Sequence, residues 1–223
     1  MTRRHPSPPK FDKFGLQVQP ARPGDWVPIR DLGAQHRRRI LGHLLALDPH
    51  DRYLRFGHTV SPEELSTYVA SINFRRDEVF GVFGRNLELH AVAHLASMSG
   101  GQEGSHGKAM EFGVSVLPEA RGKGLGQLLF EHAITHARNR GAGHLVIYAL
   151  SENAPMLRIA AKAGATVERH GSDAEGWLKL PPYSVGSKIQ SSLQSLAAEA
   201  IYRGRSSAVH WRDWLQSRGL LAL

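Results

Sequence analysis

The stretch that most restricts the fold runs from residue 109 to residue 150. "AMEFGVSV" (109–116) alternates with a two-residue period and reads as a strand; "RGKGLG" (121–126) follows it. Next comes "QLLFEHAITHARNR", where Leu125, Leu128, Leu129, Ala133 and Ala137 fall on one helical stripe. Arg138 and Arg140 suit the last turn of that helix, and Gly141 suits its stop. "HLVIYAL" (144–150) is an apolar run short enough for a buried strand. Strand, helix and strand joined this closely form a crossover, so the two strands must run parallel. The chain is therefore of the α/β (α+β) class.

Upstream, "EVFGVFGR" (78–85) and "LELHAVAHLASMS" (87–99) are rich in β-formers, with "GRN" (84–86) as a tight turn between them. They pair as a hairpin and, across the connection "GGQEGSHG" (100–107), lead into the strand at 109–116 as an antiparallel meander. "LQVQPA" (16–21) reads as a short strand ended by "RPGD". From Asp25 to Leu47 the spacing of Ile29, Leu32, Ile40, Leu44 and Leu47 predicts one or two helices. "SPEELSTYVASI" opens with a capping box, Ser61 with Glu64, and has Pro62 at the first helical position. Downstream, "NAPMLRIAAKAG" (153–164) is a second helix capped by Asn153 and ended by Gly164. "ATVERH" and "GWLKL" complete the sheet as another hairpin.

With 223 residues the chain holds one α/β domain with appendages: a Pro-rich basic tail at 1–15, read as disordered, a domain over 16–180, and a helical extension at 181–223. In the extension, Val185, Ile189, Leu193, Leu196, Ala197, Ala200 and Ile201 form one amphipathic stripe, and Trp211, Trp214 and Leu215 a second. Packing on the domain, homodimerisation and covering of an acceptor groove all fit it. The net charge of +8 raises nucleic acid as a partner, but residues 1–15 carry four Lys/Arg against one Asp and residues 181–223 five against two acids. The middle is nearly neutral and interleaves no aromatics with cations, so nucleic acid is not the expected main partner. Cysteine is absent, which removes disulfides and thiolate chemistry. No apolar run approaches the roughly 20 residues of a membrane span, so the expectation is a soluble, cytoplasmic protein with no membrane partner.

Two common glycine loops fail here. The glycines at 122, 124 and 126 do not follow the G-x-G-x-x-G spacing of a dinucleotide site, and Lys123 is followed by Gly124 where a Walker loop has Ser or Thr. What remains is a run of unobstructed backbone N–H groups at a helix N-terminus, which suits a pyrophosphate. A plain flexible turn would also satisfy these six residues.

The wider context resembles the GNAT superfamily of N-acetyltransferases, whose loop reads Arg/Gln-x-x-Gly-x-Gly/Ala; Arg121, Gly124 and Gly126 fill those places. The likeness runs through "VSVLPEARGKGLGQLLFEHAITHARNRG" to "SENAPMLRIAAKAGA" and covers roughly residues 16–180. It implies a mixed sheet with helices on both faces, a bulge in the strand at 109–116, and a splay of that strand from 144–150 that opens a V-shaped cleft. It implies acetyl-CoA as co-substrate and no metal. The backbone of Val114 and Val116 would lie along the pantetheine, the loop Arg121, Gly122, Lys123, Gly124, Leu125 and Gly126 around the phosphates, and Asn153 and Met156 beside them. Asn153, Met156 and Leu157, with "LDPHDRYLRF" (47–56), further resemble bacterial protein-acetylating GNAT domains. The acceptor is then an amine, on a protein lysine or a small molecule.

Acetyl transfer to an amine needs a base, because the amine is mostly ammonium at neutral pH. Glu111 is the candidate base; it shares a strand face with Gly113 and Ser115, and the glycine leaves room for an acceptor. His90 and His94 follow as candidates on the neighbouring strand. His132 and His136 stand one helical turn apart, but no third metal ligand is evident, so they go to helix packing or surface. Many family members carry a Tyr acid seven residues after the Asn of the second helix, and that position is Ala160 here. Ala160, with Ala165 where relatives often have Phe, keeps a second class open: a non-catalytic acyl-CoA sensor.

Overall fold

The computed structural model describes residues 27–84, 86–98 and 108–181, together with the two-residue strands Lys10–Phe11 and Gln17–Val18, which pair antiparallel. The rest of the basic tail, most of 16–21, the connection 100–107 and the extension beyond Pro181 lie outside the described residues.

Among the described residues, seven strands form one mixed sheet: β1 (Ile29–Leu32), β2 (Glu78–Phe83), β3 (Leu89–Ser97), β4 (Ala109–Val116), β5 (His144–Leu150), β6 (Thr166–His170) and β7 (Asp173–Lys179), in the spatial order β1-β2-β3-β4-β5-β7-β6. The meander β2-β3-β4 is antiparallel as expected, and β4 and β5 run parallel. The hairpin β6-β7 folds back so that β7, not β6, pairs with β5.

Among the described residues, five α-helices cover the two faces. They are α1 (Arg37–Ala46), α2 (Pro49–Phe56), α3 (Pro62–Ser71), α4 (Leu125–Asn139) and α5 (Ala154–Lys162). On one face Phe80, Phe112 and Leu145 pack beneath Leu129, Phe130 and Ala133 of α4 and Ala160 of α5. On the other face Val79 and Val92 pack beneath Ile40 and Leu44 of α1 and Leu65 and Val69 of α3. Burying each such large apolar side chain contributes roughly 1.5–3 kcal/mol, and the two faces hold separate buried clusters. Arg37 ties α1 to α3 by donating to the carbonyls of Val69 and, at 2.7 Å, Ile72.

Local signals account for most boundaries. The Ser61–Glu64 capping box forms with both of its hydrogen bonds, and Asn153 caps α5 by accepting from the Met156 amide at 3.2 Å. Gly141 and Gly164 follow α4 and α5 with φ of 73° and 85°, the left-handed conformation glycine tolerates.

Two expectations are corrected. Ile29–Leu32 is a strand, not the start of a helix, because its backbone pairs with β2 from Ile29↔Val82 to Leu32↔Val79. The bulge expected in β4 is not there: its ladder with β3 runs in unbroken register from Ala91↔Val116 to Ser97↔Met110, and a register shift sits instead in β2, between Val82 and Phe83.

Candidate functional site

β4 and β5 part without a bulge in β4. Their ladder holds Ala109↔His144, Met110↔Leu145 and Glu111↔Val146 and then ends, although both strands continue. Strand parity says which groups are left facing the gap. The Leu117 amide donates to His90 of β3 and the Ala109 carbonyl accepts from Met98, so odd-numbered residues of β4 face β3. Even-numbered ones face β5, as the Lys108 carbonyl does in accepting from Gly143. Past Glu111, Val114 and Val116 therefore direct their N–H and C=O groups into the splay. The Val116 carbonyl accepts from Arg121 Nε at 3.2 Å instead of from a strand.

The loop that follows turns through Pro118–Ala120 and enters α4 at Gly124. Gly122 and Gly124 have φ of 74° and 72°, and a Cβ built on either would meet nothing within 4 Å. Their need for glycine is conformational. Gly126 differs: a Cβ there would lie 3.1 Å from Ile159 Cδ1, so this glycine permits α4 to approach α5. The N-terminus of α4 has no side-chain cap and no acidic residue in its first turn. Among the described residues no side chain caps its orphan amides at the positive end of the dipole, which is the arrangement an anion requires. Lys123 Nζ donates to the Glu119 carbonyl at 3.2 Å, and Leu125 is buried under the helix start.

Helix α2, which the sequence reading did not identify as a helix, packs against both β4 and β5 beside the splay. Asp48 caps it by accepting from the Asp51 amide at 2.8 Å, and Pro49 starts it. Three contacts fix its place. Asp51 pairs with Arg121, the Asn153 side-chain amide donates to the Leu54 carbonyl at 3.1 Å, and the Arg55 guanidinium lies over Gly113. Arg121 and Asn153 are thus engaged within the protein, and Met156 is buried under α5.

The reading that Gly113 leaves room for an acceptor is corrected by Arg55. A Cβ on Gly113 would lie 2.3–2.5 Å from its guanidinium atoms, so the space over the glycine is filled. From there a polar chain runs inward. Arg55 donates to the Tyr68 hydroxyl at 3.3 Å, and Tyr68 donates to His94 Nδ1 at 2.7 Å. His94 Nε2 then faces Asp77 Oδ2 at 3.5 Å. Burial, reinforced by the Arg55 charge, lowers the His94 pKa to about 4, so it is neutral at neutral pH. Burial would raise Asp77, but hydrogen bonds from Arg76 and the Ser97 amide outweigh it and hold the carboxyl below its usual range. His43 is a parallel case. Nδ1–H donates to the Leu89 carbonyl at 2.7 Å, Nε2 accepts from Ser115 at 2.8 Å, and burial lowers its pKa to about 4. His90 lies apart, 3.0 Å from Glu88.

Glu111 is half-buried at the last paired position of the parallel ladder. On the same face and two residues beyond its register partner Val146 stands Tyr148, 51% exposed and opposite Glu175 of β7. Burial, with the charges of Glu175 and Glu111, raises the Tyr148 pKa and keeps the phenol protonated. The sequence reading missed Tyr148, and the available signal was a polar tip inside "HLVIYAL". Ala160 is fully buried, close to Gly176, so that position does not face the splay.

His132 is buried, as helix packing requires, and a carboxylate oxygen of Asp31, a group not evident from the sequence spacing, lies within 4.8 Å of a ring nitrogen of each histidine. It was hidden by reading β1 as helix.

Comparison with known proteins agrees with this geometry. A stretch of 51 residues is 43% identical to streptothricin acetyltransferase from Streptomyces lavendulae, covering 23% of this chain; the match spans only 27% of that relative's length. The GNAT domain of S. lividans PAT superposes with a TM-score of 0.58 at 19% identity, over 68% of this chain and 89% of that one. YncA of Salmonella typhimurium, a putative acetyltransferase solved with its cofactor acetyl-CoA, superposes at 0.53 with 18% identity, over 72% and 97%. The profile of the acetyltransferase (GNAT) family matches residues 36–165, well over half the chain and the whole span from α1 to the start of β6. The splayed strands and the glycine-led helix thus sit inside the matched region, and the chain belongs to the acetyltransferase (GNAT) family.

Proposed function

We propose that the protein transfers an acetyl group from acetyl-CoA to an amine by direct attack within a ternary complex. The observation that carries this is the uncapped N-terminus of α4, led in by Gly122 and Gly124, standing beside the β4 backbone that the splay leaves without a strand partner. The first suits a pyrophosphate and the second an amide-bearing pantetheine arm. Acetyl-CoA supplies the thioester. The relative named a streptothricin acetyltransferase and the neighbour solved with acetyl-CoA support the same reading.

The chain's own groups divide the work. Glu111 takes the proton of the incoming ammonium, directly or through water, so that nitrogen can attack the carbonyl carbon. The Val114 or Val116 N–H stabilises charge on the carbonyl oxygen. As the new C–N bond forms and the C–S bond breaks, Tyr148 donates its proton to sulfur, a task for which Ala160 offers no group, and the second proton of the attacking nitrogen passes through water to restore the phenol and leave a neutral amide. Arg121, Gly122, Lys123, Gly124, Leu125 and Gly126 form the phosphate loop, with Arg121 exchanging Asp51 for phosphate. Asn153 and Met156 act by shaping the α5 start and holding α2.

The acceptor carries positive charge. Glu111, Glu175 and Glu168 share the Tyr148 face of the sheet through the pairs Glu111↔Val146, Tyr148↔Glu175 and Glu168↔Glu175, an acidic rim on a chain of net charge +8. A small polyamine, an amine-bearing antibiotic and a protein lysine all meet it. Release of free CoA thiol, followed with each acceptor class in turn, tests the proposal. Turnover with at least one amine is expected. Tight acetyl-CoA binding without thiol release from any of them would replace the enzyme by an acyl-CoA sensor.

A further inference from the structure

The second half of α4 presents His132 and His136, four residues apart and therefore on one face, with ring centroids 4.4 Å apart. Both rings stand edge-on to Phe80, at 4.6 and 4.7 Å. Asp31 is the β1 register partner of Phe80, so its side chain rises from the same sheet face toward the same two rings. One donor atom from each of Asp31, His132 and His136 lies within 4.8 Å of the others. Among the described residues, neither histidine's Nε2 has a hydrogen-bond partner, although the His132 side chain is only 5% exposed. The Asp31 carboxylate stands 3.9 Å from His132 Nε2, too far for a hydrogen bond.

Two buried imidazole nitrogens left unsatisfied is a costly arrangement unless something accepts their lone pairs. His136 shows what that something is. Its Nδ1 donates to Glu78 at 2.6 Å, and Glu78 is held in turn by Arg140 at 2.6 Å. A carboxylate on Nδ1–H fixes the tautomer in which Nε2 carries the free lone pair, the outer-shell device that orients metal-bound histidines. We propose that Asp31, His132 and His136 form a binding site for a divalent first-row transition ion, Zn2+ foremost, that clamps β1 to α4. Donors about 2.0–2.1 Å from a tetrahedral ion lie about 3.3 Å apart, so closing the set needs only rotamer-scale movement. Asp31, 53% exposed, leaves an entry path and room for a water in the fourth position. The site lies on the half of α4 away from the phosphate loop and is independent of the acetyl-transfer proposal.

The test is Zn2+ competition with a chromophoric chelator, using the full 223-residue chain without a polyhistidine tag, plus the visible spectrum of the Co2+ form and a thermal melt. One equivalent of Zn2+ with sub-micromolar affinity is expected, together with a higher melting temperature. His132→Gln and His136→Gln should each weaken binding at least 100-fold, Asp31→Asn about 10-fold, and Glu78→Gln by 10- to 100-fold. Asp31 is exposed, so Asp31→Asn remains informative if a histidine variant misfolds. No stoichiometric uptake, or wild-type affinity in the folded Asp31→Asn and His132→Gln variants, would overturn the site and assign any uptake to other histidines of the chain.

Discussion

Replacing the three loop glycines one at a time by alanine separates their roles. Gly122 and Gly124 hold left-handed φ angles with open space around them, so alanine there meets no atom and the whole cost is conformational, about 1–2 kcal/mol for an L-residue. Folding tolerates that cost by letting the loop relax to another conformation. Ligand binding then has to restore the native one. A loop that must recover about 1.4 kcal/mol binds acetyl-CoA about tenfold more weakly. Gly126 is expected to behave otherwise. Alanine there would place its methyl 3.1 Å from the terminal carbon of Ile159, a flexible end that yields by a few tenths of an ångström. Alanine also recovers about 0.5–1 kcal/mol of backbone entropy that glycine loses in a helix. Gly126→Ala is therefore close to neutral in stability and leaves affinity within about twofold. Calorimetric titration with acetyl-CoA, paired with thermal melts, measures both. The reasoning is refuted if Gly126→Ala loses as much affinity as Gly124→Ala, or if Gly122→Ala and Gly124→Ala bind as the wild type does.

Glu111→Gln should lower kcat by about 100- to 10,000-fold with acetyl-CoA affinity nearly unchanged, and raising the pH should recover part of the loss; an unchanged rate would remove Glu111 from the mechanism. Tyr148→Phe should lower kcat while KM for acetyl-CoA stays put, and a wild-type kcat would leave thiolate protonation to solvent. Asp51→Asn should free the Arg121 guanidinium and tighten acetyl-CoA binding severalfold at low salt, with the gain fading at high salt; an affinity that does not move at either salt would mean Arg121 serves only to hold α2. His43 and His94 have folded pKa values near 4 against about 6.5 unfolded, so the unfolded chain binds more protons between those pH values and stability falls as pH drops through that window. The loss is at most about 3 kcal/mol per histidine, read by urea unfolding between pH 7 and 4, and a flat profile would show that acid opens the structure elsewhere.

The parts of the fold legible in the sequence are those written by short-range chemistry. The Ser61–Glu64 box, the glycines after α4 and α5, and the alternation of β4 each act within a few residues, and each appears where expected. Strand β1 was not legible because Ile29 and Leu32, three apart, imitate helical spacing, while what makes the segment a strand is its ladder with β2 some fifty residues away. Helix α2 was missed for the opposite reason. Its start signals, Asp48 and Pro49, are present, but it is only eight residues long and none of them is fully buried, so its apolar residues are too few to establish a period. Both omissions hid chemistry. Asp31 lies on β1, and Arg55, which occupies the space over Gly113, lies on α2.

That position of Arg55 decides from which side an acceptor can come. Were the face over Gly113 open, an amine could approach β4 along the row Glu111, Gly113, Ser115. Instead Arg55 fills the middle of the row, Ser115 is taken by His43, and the hydrogen-bonded line from Arg55 through Tyr68 to His94, with Asp77 facing its end, closes the ground behind them. Moving Arg55 aside would break its bond to Tyr68 and leave the partly buried hydroxyl one donor short, at a cost of roughly 1–3 kcal/mol. The exposed side of the row is the other one, where Tyr148 and Glu175 border the splay beyond Glu111. An ammonium arriving there meets carboxylates first and reaches Glu111 without displacing the guanidinium, whose positive charge would oppose it on the alternative path. The same barrier orients the acceptor. In the mechanism proposed above, its nitrogen would be drawn to Glu111 at the point where the parallel ladder ends, and the backbone groups of Val114 and Val116 further along β4 would meet the thioester.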